Sequence, residues 1–259
     1  EAVSLTGETQ TSQSDIQLSR QKIFLSSNLR SCILKDSVQQ IRIFSKNIKG
    51  LPLNAEIQCK IFEVEVPKVL LRKRSWEKPD LYKYSLKEYK KYFPNDVYDQ
   101  EDELSSWPVH KLLYEITISK TSESNLALAK IPNSTRAIKL VVQAKDSLGN
   151  VQNYVDYAIL INESESTIYP KPDLITVKDQ VLPGQQLDFL VLAAAKNSWF
   201  FNTYESRSGI QSKWVNTNSL YKFGAKPVIS DCGTIYFTSF CVIQNNIYEF
   251  HKQVTVPWK

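Results

Sequence analysis

Apolar and polar side chains alternate with period two through much of this chain. The alternation is clearest over Gln39–Ser45, Ala55–Val64, Leu112–Ser119, Ile138–Ala144, Tyr154–Ile161, Gln186–Ala193, Thr234–Ile243 and Ile247–Val256. Successive side chains of a strand point to opposite faces, so each segment reads as a strand with one face buried. Turn residues separate them: Asn47-Ile48-Lys49-Gly50, Asp146-Ser147-Leu148-Gly149-Asn150, Pro183-Gly184 and Gln244-Asn245-Asn246. Short strands joined by turns, with no helical period between them, predict antiparallel sandwiches rather than βαβ units. The expected fold class is all-β.

The segment from Asn162 to Thr167 and the following Tyr169-Pro170-Lys171-Pro172 are polar and proline-bearing, as a linker is. The expected division is therefore into two sandwiches, residues 20–165 and 166–259. Leu5-Thr6-Gly7-Glu8-Thr9 resembles the later turn at Ser147 to Val151, so residues 1–19 are expected to be a closing hairpin or strand of a preceding domain.

One stretch, about 67–110, breaks the strand pattern and is too long for an ordinary sandwich loop. Ser85 and Glu88 have capping-box spacing and Pro94 supplies a stop, which predicts a short helix between them. The insert carries a basic run (Lys68, Arg72, Lys73, Arg74) and an acidic run (Asp96, Asp99, Glu101, Asp102, Glu103). It also concentrates the aromatics Trp76, Tyr82, Tyr84, Tyr89, Tyr92, Phe93, Tyr98 and Trp107. Such rings make a protein or sugar contact surface, or they pin the insert to the body. Pinning is the expectation, with Trp76 and Trp107, each followed closely by proline, holding the two ends. Tyr89, Tyr92 and Phe93 are expected to cover an open sheet edge or a neighbouring domain.

Arg74-Ser75-Trp76-Glu77-Lys78-Pro79-Asp80, Tyr92-Phe93-Pro94-Asn95-Asp96, the Gly50-Leu51-Pro52 connection and the closing Val256-Pro257-Trp258 together resemble the macroglobulin-like domains of bacterial alpha-2-macroglobulin family proteins. The resemblance implies seven-stranded, immunoglobulin-like sandwiches in a large secreted or envelope-anchored protein that engages proteases. It implies neighbouring domains of the same chain, and proteases, as partners. The family's thioester motif, Gly-Cys-Gly-Glu-Gln, is absent, since Asp231-Cys232-Gly233-Thr234 shares only Cys-Gly. The alternative is a surface adhesin or carbohydrate-binding sandwich array, because architecture does not set function.

Composition narrows the chemistry. Thirty-two Lys and Arg against 27 Asp and Glu leave a charge of +5 with both signs interspersed, which argues against nucleic acid as a partner. No apolar run reaches the roughly 20 residues needed to cross a bilayer, so no membrane insertion is expected. The chain starts at Glu1 and contains no Met, and reads as a segment of something longer. Its two histidines, His110 and His251, come with no HExxH and no GxSxG. His110, beside Pro108, reads as a loop residue, and His251, in step with Glu249 and Gln253, as part of a wet face. Seven unclustered glycines give no phosphate loop, and the acidic run lacks calcium-loop spacing. No catalytic, cofactor or metal residue is expected, and no cofactor. Cys32, Cys59, Cys232 and Cys241 show no CxxC spacing. Cys232 and Cys241 flank a single strand about 30 Å long, too far apart to bond. Cys59 has the parity of a core thiol.

Overall fold

A computed structural model describes residues 2–3, 6–7, 9–11, 22–35, 40–72, 74, 77–127, 130–163 and 168–258. The strands are β1 (Ala2–Val3), β2 (Thr9–Gln10), β3 (Phe24–Ser27), β4 (Cys32–Leu34), β5 (Gln40–Lys46), β6 (Ala55–Val64), β7 (Val109–Thr121), β8 (Glu123–Ala127) and β9 (Ala137–Lys145). There follow β10 (Val151–Ile161), β11 (Asp173–Thr176), β12 (Leu187–Leu192), β13 (Ser198–Ser206), β14 (Gly209–Thr217), β15 (Leu220–Ala225), β16 (Gly233–Ile243) and β17 (Asn246–Val256). One α-helix, α1 (Leu86–Tyr92), lies in the insert. The fold is all-β: two tandem sandwiches, the first interrupted by a long insert with a short helix.

In the N-terminal sandwich a five-stranded sheet, β4-β10-β9-β6-β7, faces the three-stranded β3-β5-β8. The chain passes from one sheet to the other at Thr121, where its hydroxyl accepts from the Glu123 amide at 3.1 Å. Inward residues Ile41, Ile43, Ile57, Cys59, Ile61, Leu126, Leu140 and Val142 form the core. One pairing departs from the antiparallel expectation: short β4 runs parallel to β10. In the C-terminal sandwich β11-β12-β15 faces β14-β13-β16-β17. Its core is aromatic, with Phe189 and Phe237 stacked at 4.5 Å beside Phe200 and Tyr204.

Turn chemistry agrees with the sequence. The β16–β17 hairpin has a two-residue loop, Gln244 and Asn245, at φ 51° and 63°. Two positive φ values in succession are what the right-handed strand twist requires of such a loop. Asp146 receives the Leu148 and Asn150 amides at 2.9 and 2.8 Å, and Gly149 takes φ 84°. The division proposed near residue 165 falls on 164–167, outside the described residues.

A third apolar cluster joins the sandwiches. Cys32, Leu34, Val64, Trp107, Ala137, Ile159 and Ile161 from the first meet Tyr169, Ile175, Leu190 and Leu192 from the second. The strands at this seam are buried on both faces. Leu160 points into the N-terminal core while Ile159 and Ile161 point into the seam, and Phe189 and Val191 alternate with Leu190 and Leu192 in the same way. Arg30 and Asp179 form an ion pair across its rim.

Candidate functional site

The insert leaves β6 after Val64 and returns at Val109, and these two residues are paired across the β6–β7 ladder. Both ends are tied down. Leu70 is buried against the C-terminal core, and Trp107 is 7% exposed within the seam, its indole N–H donating to the Glu101 carbonyl at 3.0 Å. Trp76, the other expected anchor, lies outside the described residues.

Helix α1 starts where the capping box places it. The Ser85 hydroxyl accepts from the Glu88 amide at 3.3 Å, and the Glu88 carboxylate accepts from the Ser85 amide at 2.9 Å. The helix buries none of its residues. Its rings therefore lie on no sheet edge and pack instead on one another. Tyr82 stacks on Tyr98 at 4.3 Å, Tyr89 meets Tyr98 at 5.2 Å and Phe93 at 5.1 Å, and Tyr84 meets Tyr92 at 5.8 Å. The Tyr82 hydroxyl donates to the Tyr98 carbonyl at 2.9 Å and the Tyr98 hydroxyl to that of Tyr84 at 2.8 Å. Burial raises the Tyr89 phenol above its ordinary value, so it stays protonated. Seven of the eight candidate aromatics are thus described: Tyr82, Tyr98, Tyr89 and Phe93 form one group and Tyr84 and Tyr92 another, linked by the Tyr98 hydroxyl, with Tyr89 and Tyr98 half-buried, and Trp107 sits apart in the seam.

Three members of the acidic run are engaged by the insert's own cations. Arg72 pairs with Asp96, Lys78 with Asp99, and Lys90 with Glu101 at 3.3 Å, while the Arg74 guanidinium donates to the Val97 carbonyl at 3.0 Å. Partial burial alone would raise the Glu101 carboxyl, but the amides of Tyr98 and Asp99 and the Lys90 ammonium outweigh it and hold it low. Individually such pairs stabilise little, but together they fold the insert upon itself. Unpaired lysines remain on the ring cluster: Lys83 lies 5.8 Å from the Tyr84 ring centre and Lys91 5.9 Å from that of Tyr92. The outward surface thus carries exposed rings with lysines among them. Between the insert and the C-terminal sandwich runs a cleft of about 250 Å³, lined by Leu70, Trp107, Pro170 and Tyr248.

The histidines sit elsewhere. His110 is on β7, not in a loop, because the ladder with β6 continues to Val109. Its Nδ1 is 3.2 Å from Glu63, whose carboxyl is raised by burial but lowered further by His110 and Lys111. On β17, His251 Nδ1 lies 3.2 Å from the Thr238 hydroxyl and Nε2 3.4 Å from Glu249. Hydroxyl, imidazole and carboxylate follow one another as in a nucleophilic triad. They lie on an open sheet face with His251 and Glu249 well exposed.

All four cysteines are buried and unpaired with one another. Burial pushes the thiols of Cys59 and Cys241 up to about 12, and that of Cys32 higher still, with Asp173 adding to the effect at 3.2 Å. Such thiols are poor nucleophiles. No group of three or more His, Cys, Asp or Glu able to hold a metal occurs among the described residues. No helix among them is long and apolar enough to cross a membrane.

No protein-family model matches this sequence, and no curated protein does. Solved structures with a likeness include the alpha-2-macroglobulin of Salmonella reacted with methylamine, at 10% identity over 94% of this chain and 17% of that one, TM-score 0.34. The native conformation of E. coli alpha-2-macroglobulin has 10% identity over 90% of this chain and 16% of that one, TM-score 0.32. A calcium-stabilised adhesin with which an Antarctic bacterium binds ice has 9% identity over 95% of this chain and 51% of that one, TM-score 0.25. This chain thus spans at most about half the length of these three proteins.

Proposed function

We propose that this chain is a non-catalytic binding scaffold in which two sandwiches, held as one body, present the aromatic insert as a contact surface. The observation that carries the reading is the seam: Trp107, the last anchor of the insert, is buried in the same cluster that joins the sandwiches. A surface fixed at such a point meets its partner without first having to be ordered, which lowers the entropy cost of binding.

The finer reading is a domain pair of a large extracytoplasmic alpha-2-macroglobulin-like protein that takes part in protease engagement. It is supported by the residues Arg74–Asp80, Tyr92–Asp96 and Val256–Trp258, of which Ser75 and Trp76 lie outside the described residues. In this reading the units are residues 20–165 and 166–259, with 1–19 closing a preceding domain. The neighbouring domains are the constant partners.

The test is retention on the immobilised chain, using a panel of endopeptidases and a glycan array in parallel. Protease retention by the native chain, lost in a Tyr92→Ala, Phe93→Ala double variant with an unchanged melting temperature, is the expected outcome. Both rings are exposed, so their removal leaves the fold intact. Glycan retention without protease retention would replace this reading with the adhesin one.

A further inference from the structure

The outer face of the sheet β14-β13-β16-β17 is unlike an ordinary solvated face. Its register brings six apolar side chains together. Trp214 lies opposite Phe201, Phe201 opposite Phe240, and Val242 opposite Ile247, with Trp199 beside them on β13. Trp199 and Trp214 are each 56% exposed, Val242 55% and Ile247 71%. Outward positions on these four strands hold no Lys or Arg, in a chain that has 32 of them, and their carboxylates are Glu205 and Glu249. A contiguous, largely apolar face of this kind, with no cation on it, marks an interaction site.

The other sheet of the same sandwich shows how such a face is used. Ile175, Leu190 and Leu192 point outward from β11 and β12, and are covered by the outer face of the N-terminal sandwich. Several features favour a second apolar sheet here too. Phe201 and Trp214 are tilted by 47° at 5.2 Å, which is not the flat platform a sugar ring stacks on. The neighbouring polar groups are engaged with each other, Thr203 with Ser212 and Thr238 with His251, both at 3.2 Å. The lack of cations offers nothing to an anionic surface. Glu249 lies on edge strand β17 opposite Phe240, and Glu205 near the C-terminal end of β13 opposite Ile210, so the two carboxylates are spread over the face rather than gathered at one point.

We propose that this face docks a second copy of the chain, sheet upon sheet about a two-fold axis. Four strands at about 4.8 Å spacing and about nine residues at 3.3 Å give a footprint of roughly 19 by 30 Å, or about 1,100 Å² over both copies. That approaches the roughly 1,200 Å² at which stable pairs begin, so association at about micromolar concentration is expected.

Sedimentation velocity on the whole chain, from 1 to about 100 micromolar, tests this. The native chain should shift from monomer to dimer across the series, and Trp199→Ser with Trp214→Ser should weaken the pair at least about tenfold. Ile247→Lys, on edge strand β17, is a second variant that introduces a charge without removing a ring. Circular dichroism melting establishes that each variant is folded. A native chain that stays monomeric throughout would overturn the proposal, as would a dimer that both variants leave unchanged. Glycan retention by a monomeric native chain, lost in the same variants, would assign the face to a sugar instead.

Discussion

Replacing Trp107 by Ala removes the side chain that ties the insert to the seam. Truncating a buried large aromatic costs about 3–5 kcal/mol. The lost hydrogen bond from Trp107 to Glu101 is contained in that figure, so a total of about 4 kcal/mol is expected. For a chain of this size that lowers the melting midpoint by roughly 8–16 °C. Because the indole lies in the cluster that joins the sandwiches, the variant should also melt less cooperatively, with the two bodies separating in a calorimetric trace. Limited trypsinolysis at the Lys68–Arg74 run should accelerate. Trp107→Phe keeps most of the apolar contact and loses the N–H, so it should cost no more than about half as much. Tyr92→Ala, at a ring 60% exposed, is the control and should change stability by no more than about 0.5 kcal/mol. If Trp107→Ala melted with the Tyr92→Ala control, and the insert were cut no faster, the claim that this residue locks insert and seam together would be refuted.

Asp231 is buried and receives the Val228 amide at 2.9 Å and the Ser208 amide at 3.1 Å. Burial raises its carboxyl, but these donors outweigh burial and hold it below the ordinary 3.8. A depressed folded value contributes stability above that pH and loses it as pH falls through the folded value. Asp231→Asn should therefore melt about 2–8 °C below the native chain at pH 7, for about 1–2 kcal/mol, with the gap closing below about pH 4 in a pH series of thermal scans. The cysteines give a separate check. With Cys59 and Cys241 at about 12, a disulfide-exchange reagent at pH 8 should find almost no reactive thiol in the native chain and all four in denaturant. Rapid native labelling would show that the core opens far more readily than its packing implies.

The strands that period-two alternation reveals are those with one wet and one dry face. β6 runs over Ala55–Val64 as the pattern indicates, and its burial alternates along most of its length. β13 and β14 were not legible for two different reasons. Trp199, Phe200 and Phe201 put rings on both faces of β13, and β14, at the sheet edge, buries only Val215. β15 has no fully buried residue to set a period. The seam was hidden likewise, although it does leave a signal: Ala158-Ile159-Leu160-Ile161 and Phe189-Leu190-Val191-Leu192 are unbroken apolar runs, the mark of a strand covered on both sides. In the insert, the helix was readable from its cap because capping is local. That the rings would pack on one another rather than on a sheet depends on the path of the whole loop, which no local pattern encodes.

The pairing of Val64 with Val109 means that about forty residues stand where a tight hairpin needs two. Closing so long a loop costs only about 2–3 kcal/mol more than closing a short one, because the entropy grows with the logarithm of length. Burial of Leu70 and Trp107 is enough to offset that. Between those anchors the chain is under little obligation to the sandwiches, so its composition can drift, lengthen or be exchanged while the two ends and the rung beneath them persist. The scaffold thus behaves as a holder with a replaceable head, and grafting a different peptide between residues 72 and 98 should alter what is recognised without altering what folds.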